Sequence, residues 1–282
     1  MPFTCLVILK VRLTRERKAA GVPPMPAPQN PIKKALAEDR LQLGCWLNFG
    51  HPDIAAICAS AGFDWCLIDA EHGPNTLEMI HAQLNAMQGH SAAPVVRVPW
   101  GESWLLKRVL DLGVQTVVVP MVDTPEQAAK VVSACKYPPE GTRGRGAMLA
   151  RATNWAQIDD YEQTANDEIC VIVQAETRLA LDNLDEIARV PGVDCVFVGP
   201  ADLSADLGFR DDMGAPEVMS AIEDAVRRIR AAGTAAGVIF YEEALYPHFA
   251  KLGVRFLGVG ADATTMAPAV RALAASARKS IG

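Results

Sequence analysis

The stretch LIDAEHGPN, residues 67–75, places two carboxylates and one imidazole within four positions, directly after a run of apolar residues. The side chains concerned are Asp69, Glu71 and His72. A strand end holds a titratable group rigidly beside a cleft, and an imidazole among carboxylates is suited to general acid–base chemistry. A surface loop could carry the same residues, so the elements around the stretch must decide between the two interpretations.

Polar side chains of the same kind follow other apolar runs of the chain. Arg97 lies in PVVRV, Gln174 and Glu176 end ICVIVQAE, and Asp202 follows DCVFVG in GPADLS. A buried arginine or glutamate on an otherwise apolar strand must be paired or must bind something. These positions are therefore candidates for a functional site.

Glu176 and Asp202 are the predicted metal ligands. If the two runs that precede them are neighbouring strands, the two carboxylates can share one cation. Carboxylates without an accompanying Cys or His favour Mg²⁺ or Mn²⁺, with water and substrate oxygens completing the coordination. The alternative for Asp202 is that it merely caps the helix that begins at LSADLG.

Arg97 and His72 each have a catalytic and a structural interpretation. Arg97 could stabilise a developing oxyanion, or it could pair with Asp69 or Glu71 inside the fold. His72 could be an ordinary loop residue, which is the interpretation we give to the other four histidines. Its position among carboxylates instead predicts a general base whose tautomer is held by Asp69 or Glu71.

A repeating pattern of apolar runs and helical stretches predicts the fold that positions these side chains. Near-continuous apolar strands that alternate with helices indicate a parallel sheet covered on both faces. Eight such units in roughly 240 residues predict a single-domain (β/α)8 TIM barrel, whose active sites lie at the carboxyl ends of the strands. An open doubly wound sheet is the rival, but NFGHPD after the first strand lacks its glycine-rich phosphate loop. The predicted strands are 43–49, 65–69, 94–98, 116–122, 169–176, 194–199, 235–240 and 255–260.

Composition excludes several classes of protein. The net charge is −6, and no basic run is interleaved with aromatic residues, so a nucleic-acid partner is not expected. The seven cysteines include no C-x-x-C pair, which predicts a reducing cytoplasmic location without a zinc cluster or disulfide framework. The apolar run FTCLVIL is far shorter than the roughly 20 residues of a membrane span, and its basic residues follow it rather than precede it. We therefore predict no membrane anchor, a disordered or mis-started extension over 1–29, and a barrel domain over 30–282.

The lysines also restrict the chemistry. An aldolase that forms a Schiff base needs a lysine at a strand end. Every lysine after the extension falls on a predicted helix or in the connection leading down from one. If the protein is an aldolase, a metal must do the work of the imine, and no nucleotide cofactor is expected.

The motifs WCLIDAEHGPN, PVVRVPW, GVQTVVVPMV, YPPEGTRGRG, VIVQAET and VDCVFVGPADLSADLG resemble those of the HpcH/HpaI aldolases. The resemblance extends from about Leu43 to about Ala274. It implies a metal-dependent (class II) pyruvate aldolase, using Mg²⁺, Mn²⁺ or Co²⁺, that cleaves a 4-hydroxy-2-oxo acid such as 4-hydroxy-2-oxoheptanedioate to pyruvate and an aldehyde.

The resemblance also implies residue roles. His72 is the implied proton acceptor, and Arg97 stabilises the transition state. Glu176 and Asp202 hold the metal, while Gln174, the backbone at Ala201 and Asp202, and Arg97 contact the pyruvyl group. Asp111, in VLDLGVQT, matches a residue that raises the basicity of the histidine, although its place late in a helix points away from the barrel's active face.

Alternatives remain open from sequence alone. A related barrel lyase could act on a sugar-derived 2-keto-3-deoxy acid or on an acyl-CoA thioester, and a non-catalytic barrel could merely bind oxo acids. The loop KYPPEGTRGRGAMLARATNW could cover the site and meet an anionic end of the substrate, or it could be a flexible basic loop. The last helix, MAPAVRALAASARKS, packs on its own barrel or, as the resemblance implies, reaches a neighbouring subunit of a hexamer.

Overall fold

The barrel prediction is confirmed by the structure, a computed structural model that describes residues 25–210 and 212–282. Eight parallel strands close into a barrel in the order in which they occur along the chain. The strands are β1 (Gln42–Leu47), β2 (Trp65–Asp69), β3 (Ala93–Arg97), β4 (Thr116–Val119), β5 (Cys170–Ala175), β6 (Cys195–Val198), β7 (Ala235–Ile239) and β8 (Val254–Ala261).

Helices of the described residues precede the barrel and connect its strands. They are α1 (Pro31–Ala37), α2 (Pro52–Ala59), α3 (Leu77–Ala86), α4 (Ser103–Asp111), α5 (Pro125–Cys135), α6 (Tyr161–Glu168), α7 (Arg178–Asp182), α8 (Leu184–Ala188), α9 (Pro200–Asp206), α10 (Pro216–Ala231), α11 (Tyr246–Leu252) and α12 (Asp262–Ile281). Short 3-10 helices cover Ala147–Leu149, Arg151–Thr153 and Glu243–Leu245. Across residues 25–210 and 212–282, no helix combines the length and apolar character that crossing a bilayer requires.

Strand residues alternate between two hydrophobic layers. Cys66 and Ile68 pack outward under the helices, whereas Trp65 and Leu67 pack inside the barrel. Because side chains alternate along a strand, Asp69 must also face the interior, at the carboxyl end. The same alternation turns Arg97 and Gln174 inward at the ends of their strands.

Aromatic rings fill the barrel below these polar side chains. Trp65 stacks on Phe256 with a centroid distance of 3.9 Å, and Trp46 meets Phe197 at 5.7 Å. Gly44 makes room for the stack, since a Cβ atom there would come within 1.9 Å of the Trp65 ring. The interior is therefore a packed floor for the cavity above it, as in other barrels of this type.

The amino-terminal end of the barrel is closed by α1. Its Ile32 and Leu36 belong to the same apolar cluster as the interior aromatics. Asn30 caps the helix and also donates from Nδ2 to Thr116 Oγ1 and the Glu168 carbonyl. Ala27 N donates to Thr164 Oγ1, so the described part of the predicted extension contacts the barrel. Residues 1–24 of that extension lie outside the described residues.

Candidate active site

A cavity of ≈ 660 Å³ opens at the carboxyl ends of the strands. It brings together predicted site residues from the ends of four different strands, from Asp69 after β2 to Asp202 after β6. Those that line it are Asp69, His72, Arg97, Gln174, Glu176, Ala201 and Asp202. Its described lining contains no lysine.

Asp69 and Arg97 form a buried ion pair at the centre of this site. Nε of Arg97 donates to Oδ1 of Asp69 at 2.9 Å, and Nη2 donates to Oδ2 at 2.7 Å. Nη1 lies 3.0 Å from Oε2 of Glu71. The pairing interpretation of Arg97 is therefore correct, and Arg97 also lines the cavity. A guanidinium has five N–H donors, and the two hydrogen bonds to Asp69 use two of them. Oε2 of Glu71 is close to Nη1 but accepts no hydrogen bond.

The turn after β2 is organised by Asp69 through the backbone. Its Oδ1 accepts from the main-chain N–H groups of Glu71 at 3.1 Å and His72 at 3.3 Å. The His72 ring is exposed, and its Nε2 lies 3.9 Å from Oε1 of Glu71, which is longer than a hydrogen bond. Asp69 thus fixes where His72 stands, and its contact is to the main chain rather than to the imidazole.

Glu176 is buried just beyond β5 and is held by two donors. Gln174 Nε2 donates to its Oε1 at 2.6 Å, and Met121 N donates to its Oε2 at 3.0 Å. Met121 adopts a left-handed backbone with φ 55°, which few residues other than glycine do readily. Burial raises the pKa of the Glu176 carboxyl to about 7, the Met121 N–H partly offsets this, and the nearby Asp202 and Glu71 carboxylates add to it.

Gly199 shapes the space around this carboxylate. A Cβ atom at position 199 would lie 2.1 Å from Oε1 of Glu176, so any side chain there would displace it. Gly199 is the N-cap of α9 and makes no side-chain cap bond, which corrects the capping alternative for Asp202. Asp202 lies instead in the first turn of α9, exposed to the cavity beside Ala201.

The donor set fits a hard divalent cation. Glu176 and Asp202 line one cavity, and the Asp202 carboxylate adds to the burial that raises the pKa of Glu176, while the cation Arg97 is already paired with Asp69 and Glu71. The Oε1 atom of Gln174 is buried without a hydrogen-bond partner. Among the described residues, no group of three or more His, Cys, Asp or Glu side chains is suited to a metal. A cation held by two carboxylates keeps other coordination positions for water and substrate oxygens.

Asp111 lies at the end of α4 and is not among the residues that line the cavity. Its Oδ1 accepts from Nη2 of Arg143 at 2.7 Å, and the Arg143 side chain is buried over the ring of Tyr137. The next arginine of the same loop, Arg145, pairs with Glu162 at 2.7 Å. These two arginines therefore hold the loop to the barrel, and neither lines the cavity.

Several cavity residues were missed by the sequence analysis. Tyr241 and Glu242 follow β7, and Leu245 ends the short helix after them. Met213 and Met219 reach the same side of the cavity from the segment that leads into α10 and from α10 itself. The pair Tyr241–Glu242 directly after the apolar run AAGVIF was a usable signal, since polar residues at strand ends also marked Asp69, Arg97 and Glu176.

Asn48 connects the site to the start of α12. Its Nδ2 donates to Oδ2 of Asp69 at 2.9 Å. Its main-chain N–H donates to Oδ1 of Asp262 at 2.9 Å, and the N–H of Phe49 donates to Oδ2 at 3.1 Å. One carboxylate therefore fastens the loop after β1 to the last helix.

The fold is a (β/α)8 barrel with a cavity at the end where enzymes of this fold carry their active sites, and comparison with known proteins specifies the family. The HpcH/HpaI aldolase/citrate lyase family model matches residues 42–269, and the chain belongs to that family. The chain is thus an enzyme, an aldolase.

Named relatives share most of their length with this chain. A hydroxypyruvate/pyruvate aldolase of Deinococcus radiodurans is 56% identical over 247 residues, which are 88% of this chain and 89% of the relative. A 2-keto-3-deoxy-L-rhamnonate aldolase of Escherichia coli is 48% identical over 233 residues, which are 83% and 87% of the two chains. The crystal structure of an HpcH/HpaI aldolase/citrate lyase family protein from Burkholderia cenocepacia superposes with a TM-score of 0.85 at 38% identity, covering 89% of this chain and all (100%) of the other.

Proposed function

We propose that the chain is a divalent-metal-dependent aldolase that reversibly cleaves 4-hydroxy-2-oxo acids to pyruvate or hydroxypyruvate and an aldehyde. The observation that carries the proposal is the joint lining of one cavity by Glu176, Asp202, Arg97 and His72. The family and the names of the relatives support it, because aldolases of this family generally use a divalent metal.

Glu176 and Asp202 would hold the cation, Mg²⁺, Mn²⁺ or Co²⁺. When bound, such an ion supplies Lewis-acid polarisation of a 2-oxo group, which makes enolate formation accessible near neutral pH. Gln174 supports Glu176 from one side through its Nε2 hydrogen bond, and the Met121 N–H supports it from the other.

Arg97 and His72 would act on the substrate directly. Arg97 keeps N–H donors beyond its two hydrogen bonds to Asp69, and its fixed positive charge stabilises negative charge that develops on the oxo group. His72 accepts the proton of the 4-hydroxyl group as the C3–C4 bond breaks, and a proton returned to C3 gives the oxo acid. The exposed ring suits that task, since proton transfer requires contact with the substrate.

The substrate includes sugar-derived acids in this proposal. A 2-keto-3-deoxy acid carries the same 2-oxo and 4-hydroxyl groups, and relatives named 2-keto-3-deoxy-L-rhamnonate aldolase are 48% identical to the chain. The carboxylate and 2-oxo groups, which all these acids share, would bind among Glu176, Asp202 and Arg97.

A coupled assay tests the proposal. The protein is incubated with Mg²⁺ or Mn²⁺ and a panel of 4-hydroxy-2-oxo acids, and the product is reduced by lactate dehydrogenase with NADH. We expect turnover that EDTA abolishes and that added metal restores. Absence of pyruvate and hydroxypyruvate across the panel, or turnover that EDTA does not diminish, would reject the proposal.

We further propose a homo-oligomer assembled through α12. Beyond its first residue the helix is largely exposed, and its apolar side chains Met266, Val270, Leu273 and Ile281 recur at three-, four- and eight-residue intervals. Those intervals place them on one face of a helix, which a second copy of the chain would cover. A hexamer built from paired subunits is the assembly that we propose.

We propose a cytoplasmic location, since the described cysteines 45, 58, 66, 135, 170 and 195 are all free thiols. The proposed partners are the oxo acid and the aldehyde, without nucleic acid or membrane.

A further inference from the structure

The cavity has two chemically different ends. One end carries the carboxylates, Arg97 and Gln174 described above. The other end is built by Met213, Met219, Phe240 and Leu245. Tyr241 lies between the two ends, since burial raises the pKa of its phenol and the charge of Arg97 lowers it. A 2-oxo acid bound at the polar end must direct the rest of its chain somewhere, and the apolar end is the part of the same cavity that remains.

The charged residue in the apolar end is Glu242. It is exposed, directly follows Tyr241, and lines the cavity from the loop after β7. Among the described lining residues the one cationic side chain is Arg97, which is paired with Asp69 and Glu71 at the end of β3, four strands from β7 around the barrel. A substrate group that reaches the apolar end therefore meets the Glu242 carboxylate among apolar side chains.

The basic residues of the loop between α5 and α6 add no positive charge to the lining of the cavity. Arg143 is buried against Asp111, and Arg145 is paired with Glu162. Neither contributes to the lining of the cavity. A second carboxylate on the substrate would find no described cationic partner there.

From these observations we propose that Glu242 and its apolar neighbours form the subsite for the aldehyde half of the substrate, and that this subsite selects uncharged aldehydes over those that carry a carboxylate. The inference rests on the aldolase function proposed above and specifies its substrate class. Hydroxylated and aliphatic aldehydes fit, because a hydroxyl group can donate to Glu242 and a hydrocarbon can pack on Met213, Met219 and Leu245. Like charge held within one cavity disfavours an anionic aldehyde.

The test compares two aldehydes that differ in charge and little in size. Pyruvate and Mg²⁺ are supplied, and kcat/KM for aldol addition is measured with succinic semialdehyde and with its methyl ester, methyl 4-oxobutanoate. We expect the wild-type protein to prefer the ester by roughly tenfold, Glu242→Gln to reduce that ratio by roughly fivefold, and Glu242→Arg to reverse it. Glu243→Gln, which removes a neighbouring charge that does not line the cavity, is the matched control and should keep the wild-type ratio.

A second measurement separates this inference from the function on which it rests. Exchange of the pyruvate methyl protons for deuterium, followed by NMR in D₂O with Mg²⁺, needs no aldehyde. If the wild-type protein catalyses exchange but uses the acid as well as the ester, or if Glu242→Gln leaves the ratio unchanged, the aldehyde subsite is rejected and the aldolase function stands. If exchange is absent as well, the proposed function itself is wrong and this inference falls with it.

Discussion

Asp69 and Arg97 are register partners on the adjacent strands β2 and β3, and their side chains meet in a buried ion pair. The pairing is a direct result of strand order, because neighbouring parallel strands place their last inward-facing residues side by side. The same carboxylate holds the backbone that carries His72. One acidic residue thus fixes both of the groups proposed to act on the substrate.

Replacing Asp69 should therefore damage catalysis and stability together. Asp69→Asn keeps the shape but removes the charge that Arg97 faces, and the loss of one partner of a buried pair costs about 3–5 kcal/mol. We expect a lower midpoint of urea unfolding and a fall in kcat of about 100-fold or more. Asp64→Asn, on an Asp outside the cavity lining, is a control for loss of charge alone. A variant with native kcat would contradict the role given to Asp69.

Gly199 offers a test of the carboxylate geometry that leaves every proposed ligand in place. Gly199→Ala is allowed by the backbone, since φ is −87°, but its Cβ would collide with Oε1 of Glu176. We expect the concentration of Mn²⁺ needed for half-maximal activity to rise at least about tenfold, which corresponds to about 1.4 kcal/mol. Gly146→Ala is the matched control, because a Cβ there meets nothing within 4 Å. Equal metal dependence in the two variants would show that Glu176 does not bind the ion.

The raised pKa of Glu176 predicts how the metal-free protein responds to pH. A carboxyl whose pKa is about 7 in the folded state and about 4.5 when unfolded favours folding while it is protonated. That contribution is complete below pH 4.5 and is lost as pH rises through 7. In EDTA at pH 8, Glu176→Gln should therefore unfold at a higher temperature than the wild type, with a gain of about 1–3 kcal/mol. The same variant should show no thermal shift with Mn²⁺, whereas the wild type should be stabilised. A lower unfolding temperature for the variant in EDTA would contradict the assignment.

His72 is predicted to move protons without holding the metal. His72→Ala should lower kcat by about 100-fold, because general base catalysis contributes roughly 10²–10⁴-fold. The thermal shift with Mn²⁺ should remain, since the proposed ligands are unchanged. His81→Ala, on α3, should keep native kcat. A loss of the Mn²⁺ shift in His72→Ala would instead place the imidazole on the ion.

Asp111 is expected to be coupled to Arg143. Their contact joins α4 to a fully buried guanidinium. Removing the carboxylate would therefore leave the buried Arg143 charge without its partner. A double-mutant cycle with Asp111→Asn and Arg143→Met should give a coupling free energy of about 2–3 kcal/mol in urea unfolding. Additive effects would show that the pair contributes nothing to folding. The pH profile of kcat/KM in Asp111→Asn tests the separate prediction, from family resemblance, that Asp111 raises the basicity of His72.

The exposed face of α12 predicts the behaviour of the assembly. Leu273 is 71% exposed in the single chain and lies on the apolar stripe, so Leu273→Glu should weaken association while leaving the barrel folded. Light scattering should show a smaller species for this variant, and circular dichroism should be unchanged. Ala272→Glu, which adds the same single charge at an exposed position off the stripe, is the matched control. A wild-type protein that is monomeric would reject the proposed oligomer.

Sequence patterns predicted the strands well because each is a short, nearly continuous apolar run. The boundaries of β2 at 65–69 are those expected, and the remaining strand ends differ by up to three residues, the largest being β4, which stops at Val119. There Met121 turns into a left-handed conformation to direct its N–H at Glu176. A backbone contact of that kind depends on a residue 55 positions away, so local pattern could not reveal it.

Site residues could be predicted from sequence where a polar side chain ends an apolar strand. They could not be predicted where a residue matters because it has no side chain. Arg97 and Glu176 stand out in sequence because they interrupt apolar runs. Gly199 does not, since its importance is the volume that it leaves for Glu176. The partner of Asp111 was equally hidden, because Arg143 lies in a long connection whose path is set by tertiary packing.

Asp262 connects the last helix, at the periphery of the protein, to the residues of the candidate active site. It begins α12, and through Asn48 and Asp69 a short relay of hydrogen bonds runs from that helix to the guanidinium of Arg97. A displacement of the helix would move the loop after β1 first, and through that loop Asp69 and Arg97. Engineering that lengthens, tethers or immobilises the carboxyl terminus should therefore begin well beyond residue 262, so that this anchor remains unloaded.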